Sequence, residues 1–499
     1  MLIKHFSRAS RHLLFWSLIT VAVTLTVVRI FLTQVNSYKT ELEQHIQQAI
    51  QLPIHIGKLD TNMRGFSPGL ILRDIRIDNA TPNNPSPMQL QEVRIGIDLL
   101  QLILTRDPIA ASWVTLLGLN IDVIRNADGK ISIKGIPSSD EQPTWLMQGS
   151  KYEILQSQVR WQDLQNHGKS ISFDRIDLVL KNHYLDGSHE LHAVTRLPEQ
   201  YGDSLRISAD VTGNIFEPTS LQGQLYLEAN NLQGPELAAD KLPQGLNLAS
   251  GSGDLKIWTH WQNAELDQFA GYFQAQQIQL DNPQGKSLRL DTIHGNISWL
   301  HQNGGWRLGV YDLDIFAHHS HWPNAEFYLA HQSNGDWSAL IKQFDLNALS
   351  YIAPWFIDPQ SQYADLSQLN PSGKLQEVKL FANSDWQHYA LQGQFDNLGI
   401  NPSNGMASLQ GLSGQINGSE SQGQIVFNSE NIEINALEVF RNKLFVPYLN
   451  GKINWHQNNE HWQISSEKLA LDSADFKTSS RFQLTLPKNH NAPNLQLLT

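Results

Sequence analysis

Beyond Ile50 the sequence keeps returning to a period of two, and this alternation restricts the possible folds more than any other feature. Val93, Ile95 and Ile97 alternate with Arg94 and Gly96, Leu205, Ile207 and Ala209 with Arg206 and Ser208, and Leu225 and Leu227 flank Tyr226. Successive side chains of a strand point to opposite faces, so such segments bury one face and wet the other, as antiparallel strands do. Turn chemistry separates them. Asp128-Gly129, between Ile121-Asp-Val-Ile124 and Ile131-Ser-Ile133, predicts a hairpin, as do Asn303-Gly304-Gly305 and Asn334-Gly335-Asp336. Between Leu70-Ile-Leu72 and Ile75-Arg-Ile77 the parity slips by one, which predicts a bulge near Arg73-Asp74.

The pattern also recurs as a unit. A hydrophobic residue, a spacer and a glycine open Leu221-Gln-Gly-Gln-Leu225, Leu391-Gln-Gly-Gln-Phe395, Leu412-Ser-Gly-Gln-Ile416 and Leu449-Asn-Gly-Lys-Ile453, and Gly271, Gly295 and Gly423 begin related pieces. One match is longer: Gly295-Asn-Ile-Ser-Trp299 with Trp306 keeps every internal spacing of Gly451-Lys-Ile-Asn-Trp455 with Trp462. A repeated meander follows, and repetition favours an elongated sheet over a closed globule. The expected fold is therefore mainly β, a long curved antiparallel sheet with a few short helices. Two helices are expected in the body. One runs from Tyr38 to Ile50 with Ser37 as N-cap and Leu42, Ile46 and Ile50 on one stripe; the other is a short interruption from Leu346 to Phe356, ended near Pro354 and Pro359.

Leu13 to Leu32 is apolar except for Ser17, a few threonines and Arg29, and its 20 or so residues match a helix crossing the ~30 Å hydrocarbon core. It is longer than the apolar core of a secretory signal and runs on into Thr33-Gln34-Val35, so an anchor is expected rather than a cleaved leader. Lys4, Arg8 and Arg11 precede it, while Lys39 behind it is balanced by Glu41 and Glu43. That asymmetry predicts a cytoplasmic amino terminus, residues 1–12, a transmembrane helix at 13–32, and the bulk of the chain on the far side. The absence of cysteine from all 499 residues permits an oxidising compartment. The net charge of −12 is spread along the chain without basic runs, which argues against a nucleic-acid partner.

The apolar run, the segment Leu52-Pro-Ile-His-Ile-Gly-Lys-Leu59 leading to Gly69-Leu-Ile-Leu-Arg-Asp-Ile-Arg-Ile77, and Tyr152-Glu-Ile-Leu-Gln-Ser-Gln-Val-Arg-Trp-Gln-Asp163 resemble the YhdP-type branch of the AsmA-like proteins, as does Leu369-Asn-Pro-Ser-Gly-Lys-Leu375. Members of that branch are much longer; the chain resembles their amino-terminal portion, and its finish at Asn494-Leu-Gln-Leu-Leu-Thr499 is that expected of a fragment. The resemblance divides the body into an AsmA-like region, 33–140, and a repeated meander forming an elongated groove, 141–499. It implies a single-pass inner-membrane protein with a periplasmic body of the repeating β-groove kind, which carries phospholipid toward the outer membrane and needs no cofactor. Val93, Ile95, Ile97, Leu205, Ile207, Leu225, Leu227, Phe327, Leu329, Ile425 and Phe427 are then the candidates for the groove's inner face. The same alternation also suits a dry core beneath a second sheet. A different class of function, a scaffold that assists outer-membrane or other periplasmic proteins by pairing through a free sheet edge, is the alternative.

Catalytic motifs are weak. His189-Glu190-Leu191-His192 places its histidines three apart in a strand-like stretch, whereas a zinc-protease pair needs four on a helix. His319 and His321 would share a strand face near His318, but a solvated loop before Trp322-Pro323 is the simpler account. Ser250-Gly-Ser-Gly-Asp254 lacks the lysine of a phosphate loop and reads as a turn. The tryptophans, Trp258, Trp261, Trp299, Trp306, Trp322 and Trp337 among them, suit cross-strand packing beside hairpins better than sugar stacking. No enzyme and no metal site is expected.

Overall fold

The computed structural model describes residues 8–32, 35–50, 52–65, 67–77, 88–129, 131–134, 144–165, 169–184, 186–214, 217–238, 242, 245–283, 285–317, 320–347, 369–402, 407–436, 441–472, 477–488 and 492–498. Helix α1 spans Arg8–Leu32, a 3-10 turn spans Val35–Tyr38, and α2 spans Lys39–Ile50. Strand after strand follows, in two compact units. The first unit, Met1–Asn231 with His260–Glu265, contains β1 (Ile54–Arg64), β2 (Ser67–Ile77), β3 (Met88–Ile97), α3 (Leu99–Thr105), β4 (Ser112–Leu117), β5 (Asn120–Arg125), β6 (Ile131–Ile133), β7 (Lys151–Asp163), β8 (Lys169–His183), β9 (Ser188–Arg196), β10 (Ser204–Thr212) and most of β11 (Gln222–Gln233).

The second unit, Leu232–Thr259 with Leu266–Thr499, begins with α4 (Gly234–Ala238) and most of β12 (Asn247–Gln262) and β13 (Glu265–Asp281). It continues with β14 (Ser287–Gln302), β15 (Gly305–Ala317), β16 (Ser320–His331), β17 (Trp337–Asp345), β18 (Pro371–Ala382), β19 (Tyr389–Ile400), β20 (Ser408–Ser419), β21 (Gln422–Asn435), β22 (Leu444–Gln457), β23 (His461–Asp472), β24 (Lys477–Pro487) and β25 (Asn494–Leu498). Mainly β with few short helices is thus what the alternation produces.

From β13 to β25 each strand pairs antiparallel with the next. The first unit departs from a pure meander. The short strands β4 and β5 lie end to end along β7 and pair with it in parallel. Where they meet, Gly118 N–H donates to the Leu155 carbonyl (3.0 Å) and Leu119 N–H to the buried Ser157 hydroxyl (3.1 Å), so the gap leaves neither donor bare. The expected hairpins form. Asn303 and Gly304 both have positive φ, 53° and 73°, as a two-residue type I′ turn requires, and Gly129 and Gly335 adopt 84° and 89° in their loops.

The parity slip in β2 is real, with Asp74 at φ 51°. It is shared by three strands, since Ile56, Ile75 and Leu90 on one side of the slip join Leu59 and Leu72 on the other in one buried cluster. Because β1, β2 and β3 slip together, the register is unchanged across them. Helix α2 covers this place: Leu42 and Ile46 pack on the cluster, Lys39 Nζ donates to the Gly57 carbonyl (3.1 Å), and Glu43 Oε1 accepts from Ile56 N–H (2.6 Å). The helix begins one residue later than expected, at Lys39, and Ser37 lies within the 3-10 turn that precedes it.

Three other expectations change, at Ser250–Asp254, at His321 and in the apolar amino-terminal segment. Ser250–Asp254 is the interior of β12, where Gly251 and Gly253 admit the close approach of Ile278 and Gln274. The histidines of His189–His192 lie on opposite faces of β9; His189 is buried with its Nδ1–H donating to Asn182 Oδ1 (2.6 Å), and His192 is exposed beside Ser208. Among the described residues no group of side chains is arranged to hold a metal, and no helix is long and apolar enough to cross a membrane. The anchor expected at Leu13–Leu32 is thus not found as a span. Its segment is helical, interrupted by hydroxyls that bond back to the Leu14, Trp16 and Ala22 carbonyls, and Leu13, Leu14, Phe15, Trp16 and Leu18 are exposed on it. His321, expected in a solvated loop, instead lies in β16, where its ring stacks on Phe316 and its Nε2 is 2.9 Å from Asp314 Oδ1; His318, His319 and most of the expected Leu346–Phe356 helix lie outside the described residues.

On the opposite face of β1–β3, Glu92 is buried and accepts hydrogen bonds from Arg73 Nε (2.8 Å) and Arg94 Nε (2.5 Å). Burial pushes its carboxyl up, but the two guanidinium bonds outweigh burial and hold it below the usual range. A carboxylate with a lower pKa folded than unfolded adds stability above about pH 4.3, lost as pH falls through the folded value. The expected outcome is a thermal midpoint that falls as the pH drops below about 4.3, and a Glu92→Gln variant that starts lower and loses less over the same range.

Candidate functional site

The cross-strand registers assemble the alternating apolar residues into continuous rows. In the first unit Leu59 faces Leu72, which faces Val93, then Leu116 and, across the parallel ladder, Ile154. The row continues through Leu178 and Ala193 to Ile207 and Leu227. Beside it runs Leu70, Ile95, Val114, Tyr152, Leu180, Leu191, Ala209 and Leu225. Ile97 and Leu205 share this face, opposite Ser112 and Ala229. All seven candidates of this unit therefore stand on one face of one sheet.

The second unit repeats the construction. Phe269, Trp299, Leu308, Leu329, Ala339, Leu380 and Leu391 form one row, which goes on through Gly418, Gly423, Trp455, Ile464, Leu484 and Leu495. Ile297, Val310, Phe327 and Ile341 lie alongside, and farther on Ile416, Ile425 and Ile453. Phe427 sits opposite Gly414 and Gly451, its ring 6.2 Å from that of Phe395. The two tryptophan repeats occupy equivalent places: Trp299 faces Leu308 as Trp455 faces Ile464, and Trp306 and Trp462 both begin the returning strand.

Two features of the rows were not legible beforehand. The glycines are not gaps. A Cβ on Gly418 or Gly423 would overlap the Trp455 indole, and one on Gly414 would press on the Phe395 ring, so aromatic side chains lie across the bare backbone. The only advance signal was the recurrence of Gly and Trp at fixed spacing. Register shifts between Phe395 and Ile400, between Gln410 and Gly414 and between Ser466 and Leu469 show the second feature, bulges that recur in neighbouring ladders. Such bulges bend and twist the strands that carry them.

Within each unit, every extensive contact between described elements joins strands side by side, apart from contacts of β1 with α1, α2 and the 3-10 turn, of α2 with that turn and of β3 with β5. No second sheet lies over the rows among the described residues. Burial agrees. Beneath α2 Leu59 and Leu72 are only 2% exposed, whereas Val93, Ile207, Leu227, Phe327, Leu329, Ile425 and Phe427 are half-buried and Ile95 is 38% exposed. In β24, Phe482, Leu484 and Leu486 are half-buried while Arg481 and Gln483 are exposed, so side chains on the apolar face are screened by one another.

The opposite face is mostly polar among the described residues. A depression of about 740 Å³ is lined there by Leu300, Tyr328, Leu340 and Phe381, with Arg307 and Lys379 beside them.

These features define a class: a one-layer β-sheet protein whose apolar face is built of rows in register and, in the first unit, is covered at its start by a helix. The chain belongs to the YhdP protein family, which matches it over residues 1–499. It is similar to the intermembrane phospholipid transporter YhdP of Escherichia coli (strain K12), at 18% identity over 491 residues, covering 94% of this chain and 37% of that relative. The chain thus spans little more than a third of the relative's length. No solved structure matches it.

The Trp455 arrangement is testable. Trp455→Ala should leave Gly418 and Gly423 bare and destabilise their neighbourhood by about 3 kcal/mol. Amide exchange should accelerate across β20–β22 while β7–β10 keep their protection; an unchanged exchange pattern would mean the indole does not hold these strands.

Proposed function

We propose that the apolar rows are a track for phospholipid acyl chains, and that the protein is the inner-membrane-attached, periplasmic part of a bridge moving phospholipid between inner and outer membranes. The observation that carries this reading is an apolar face that continues from strand to strand within each unit with no second layer over it. A diacyl lipid in water exposes on the order of 30 methylenes at ~0.8 kcal/mol each, roughly 25 kcal/mol in all. A continuous apolar face removes most of that penalty at every position along it, and transport of this kind needs no catalytic group. The name of the Escherichia coli relative supports phospholipid as the cargo.

Val93, Ile95, Ile97, Leu205, Ile207, Leu225, Leu227, Phe327, Leu329, Ile425 and Phe427 are in this reading the side chains that touch acyl chains. Helix α1, with its exposed apolar side chains, holds the protein at the inner membrane, and α2 covers the beginning of the track.

A photo-crosslinking residue at Ile95, Leu227 or Phe427 should yield lipid adducts in cells. Adducts to polypeptide alone, at all three positions, would replace this reading by that of an assembly scaffold. Leu227→Asp gives a second check. The side chain is half-buried, so the carboxylate keeps access to water and the protein should accumulate normally. Lipid adducts at Leu227's row neighbour Ile207 should drop severalfold. Degradation of the variant instead would mark Leu227 as part of a sealed core.

A further inference from the structure

Helix α3 has its apolar side turned outward. Leu100, Ile103 and Leu104, at helical spacing on one face, are 55%, 72% and 80% exposed, and Ile109 in the following loop is 54% exposed. This is not a frayed segment. Asp98 Oδ1 accepts from Leu100 and Gln101 N–H (2.9 and 3.1 Å), Gln101 Nε2 donates to the Ala110 carbonyl (3.0 Å), and Asp107 Oδ1 accepts from Ile109 N–H (2.8 Å). The side chains are held out by a fully bonded scaffold, where a helix built for a soluble surface would turn them in.

The place of α3 in the sheet says what it meets. A hollow of about 780 Å³ is lined by Leu100 and Leu104 together with Asn62 and Ser67, which flank the β1–β2 turn, and Tyr184 at the β8–β9 turn, itself 58% exposed. The chain comes in from α1 toward that same end. Lys39 of α2 reaches Gly57 and Glu43 reaches Ile56, so α2 runs opposite to β1, and its beginning, with α1 before it, lies toward the β1–β2 turn.

We propose that this end of the first unit, presented by Leu100, Ile103, Leu104, Ile109 and Tyr184, is a second membrane contact that sits in the interfacial layer of the bilayer holding α1. An exposed apolar helix with a tyrosine beside it suits the boundary between headgroups and acyl chains. The contact would fix the tilt of the first strands over the lipid surface. The inference rests on the reading of α1 as membrane-associated.

The protein contains no cysteine, so single cysteines can be placed at will. In the full chain reconstituted into phosphatidylethanolamine–phosphatidylglycerol vesicles, Ile103→Cys carrying an NBD fluorophore should emit to the blue of the same label at Arg196→Cys. It should also be quenched by lipids spin-labelled near the headgroup. Leu104→Asp added to the Ile103→Cys protein should return the emission toward its value in water while leaving the thermal midpoint unchanged. A label at Trp16→Cys separates the failures. If it is quenched and Ile103→Cys is not, α3 makes no membrane contact; if neither is quenched, the reading of α1 falls and this inference with it.

Discussion

Everything in this protein depends on lateral backbone pairing within a single layer. Paired strands satisfy each other's N–H and C=O groups, so the sheet is held by its ladders. A sandwich would bury the apolar rows and gain their transfer free energy inside the protein. Here Val93, Ile207, Phe327 and Ile425 keep part of their surface open, apolar area that a sandwich core would have covered. Two clusters are closed: one around Ile56, Leu59, Leu72 and Ile75 beneath α2, and one of Leu288, Leu290, Ala317 and Trp322 in the second unit.

Much of this was legible in the residues. Alternation identified the strands, Asn303-Gly304 and Asp128-Gly129 their turns, and Leu70–Ile77 the parity slip, because each rests on local stereochemistry. The eleven candidate positions fall on one face of their respective sheets for the same reason. Whether that face is open or packed was not legible, since a strand carries the same period beneath a second sheet as above water. The parallel pairing of β7 with β4 and β5 escaped notice because it is decided by how two six-residue strands share one long partner. Ser250–Asp254 misled in another way: glycines that signal a turn in isolation serve here to let β13 approach β12.

The glycine–aromatic pairs show how an open face tolerates residues with no side chain. Gly418 and Gly423 would each break a row of apolar contacts, but the Trp455 ring lies over both and keeps the surface continuous. Polar groups on this face are handled just as locally. His189, buried at the margin of the first unit's rows, gives its ring proton to Asn182, whose amide donates in turn to the Leu146 and Gly149 carbonyls. Burial pushes the imidazole down, which favours the neutral ring beside the apolar rows.

Contact restricted to lateral neighbours also governs how such a protein can change length. A hairpin inserted between two strands meets only those two, and it lengthens the sheet by roughly 10 Å, twice the strand spacing, while every other row keeps its register. The near-identical placement of Trp299 with Trp306 and of Trp455 with Trp462 is what duplication of such a unit would leave behind. Length is then a quantity adjusted in whole hairpins, without redesign of any core.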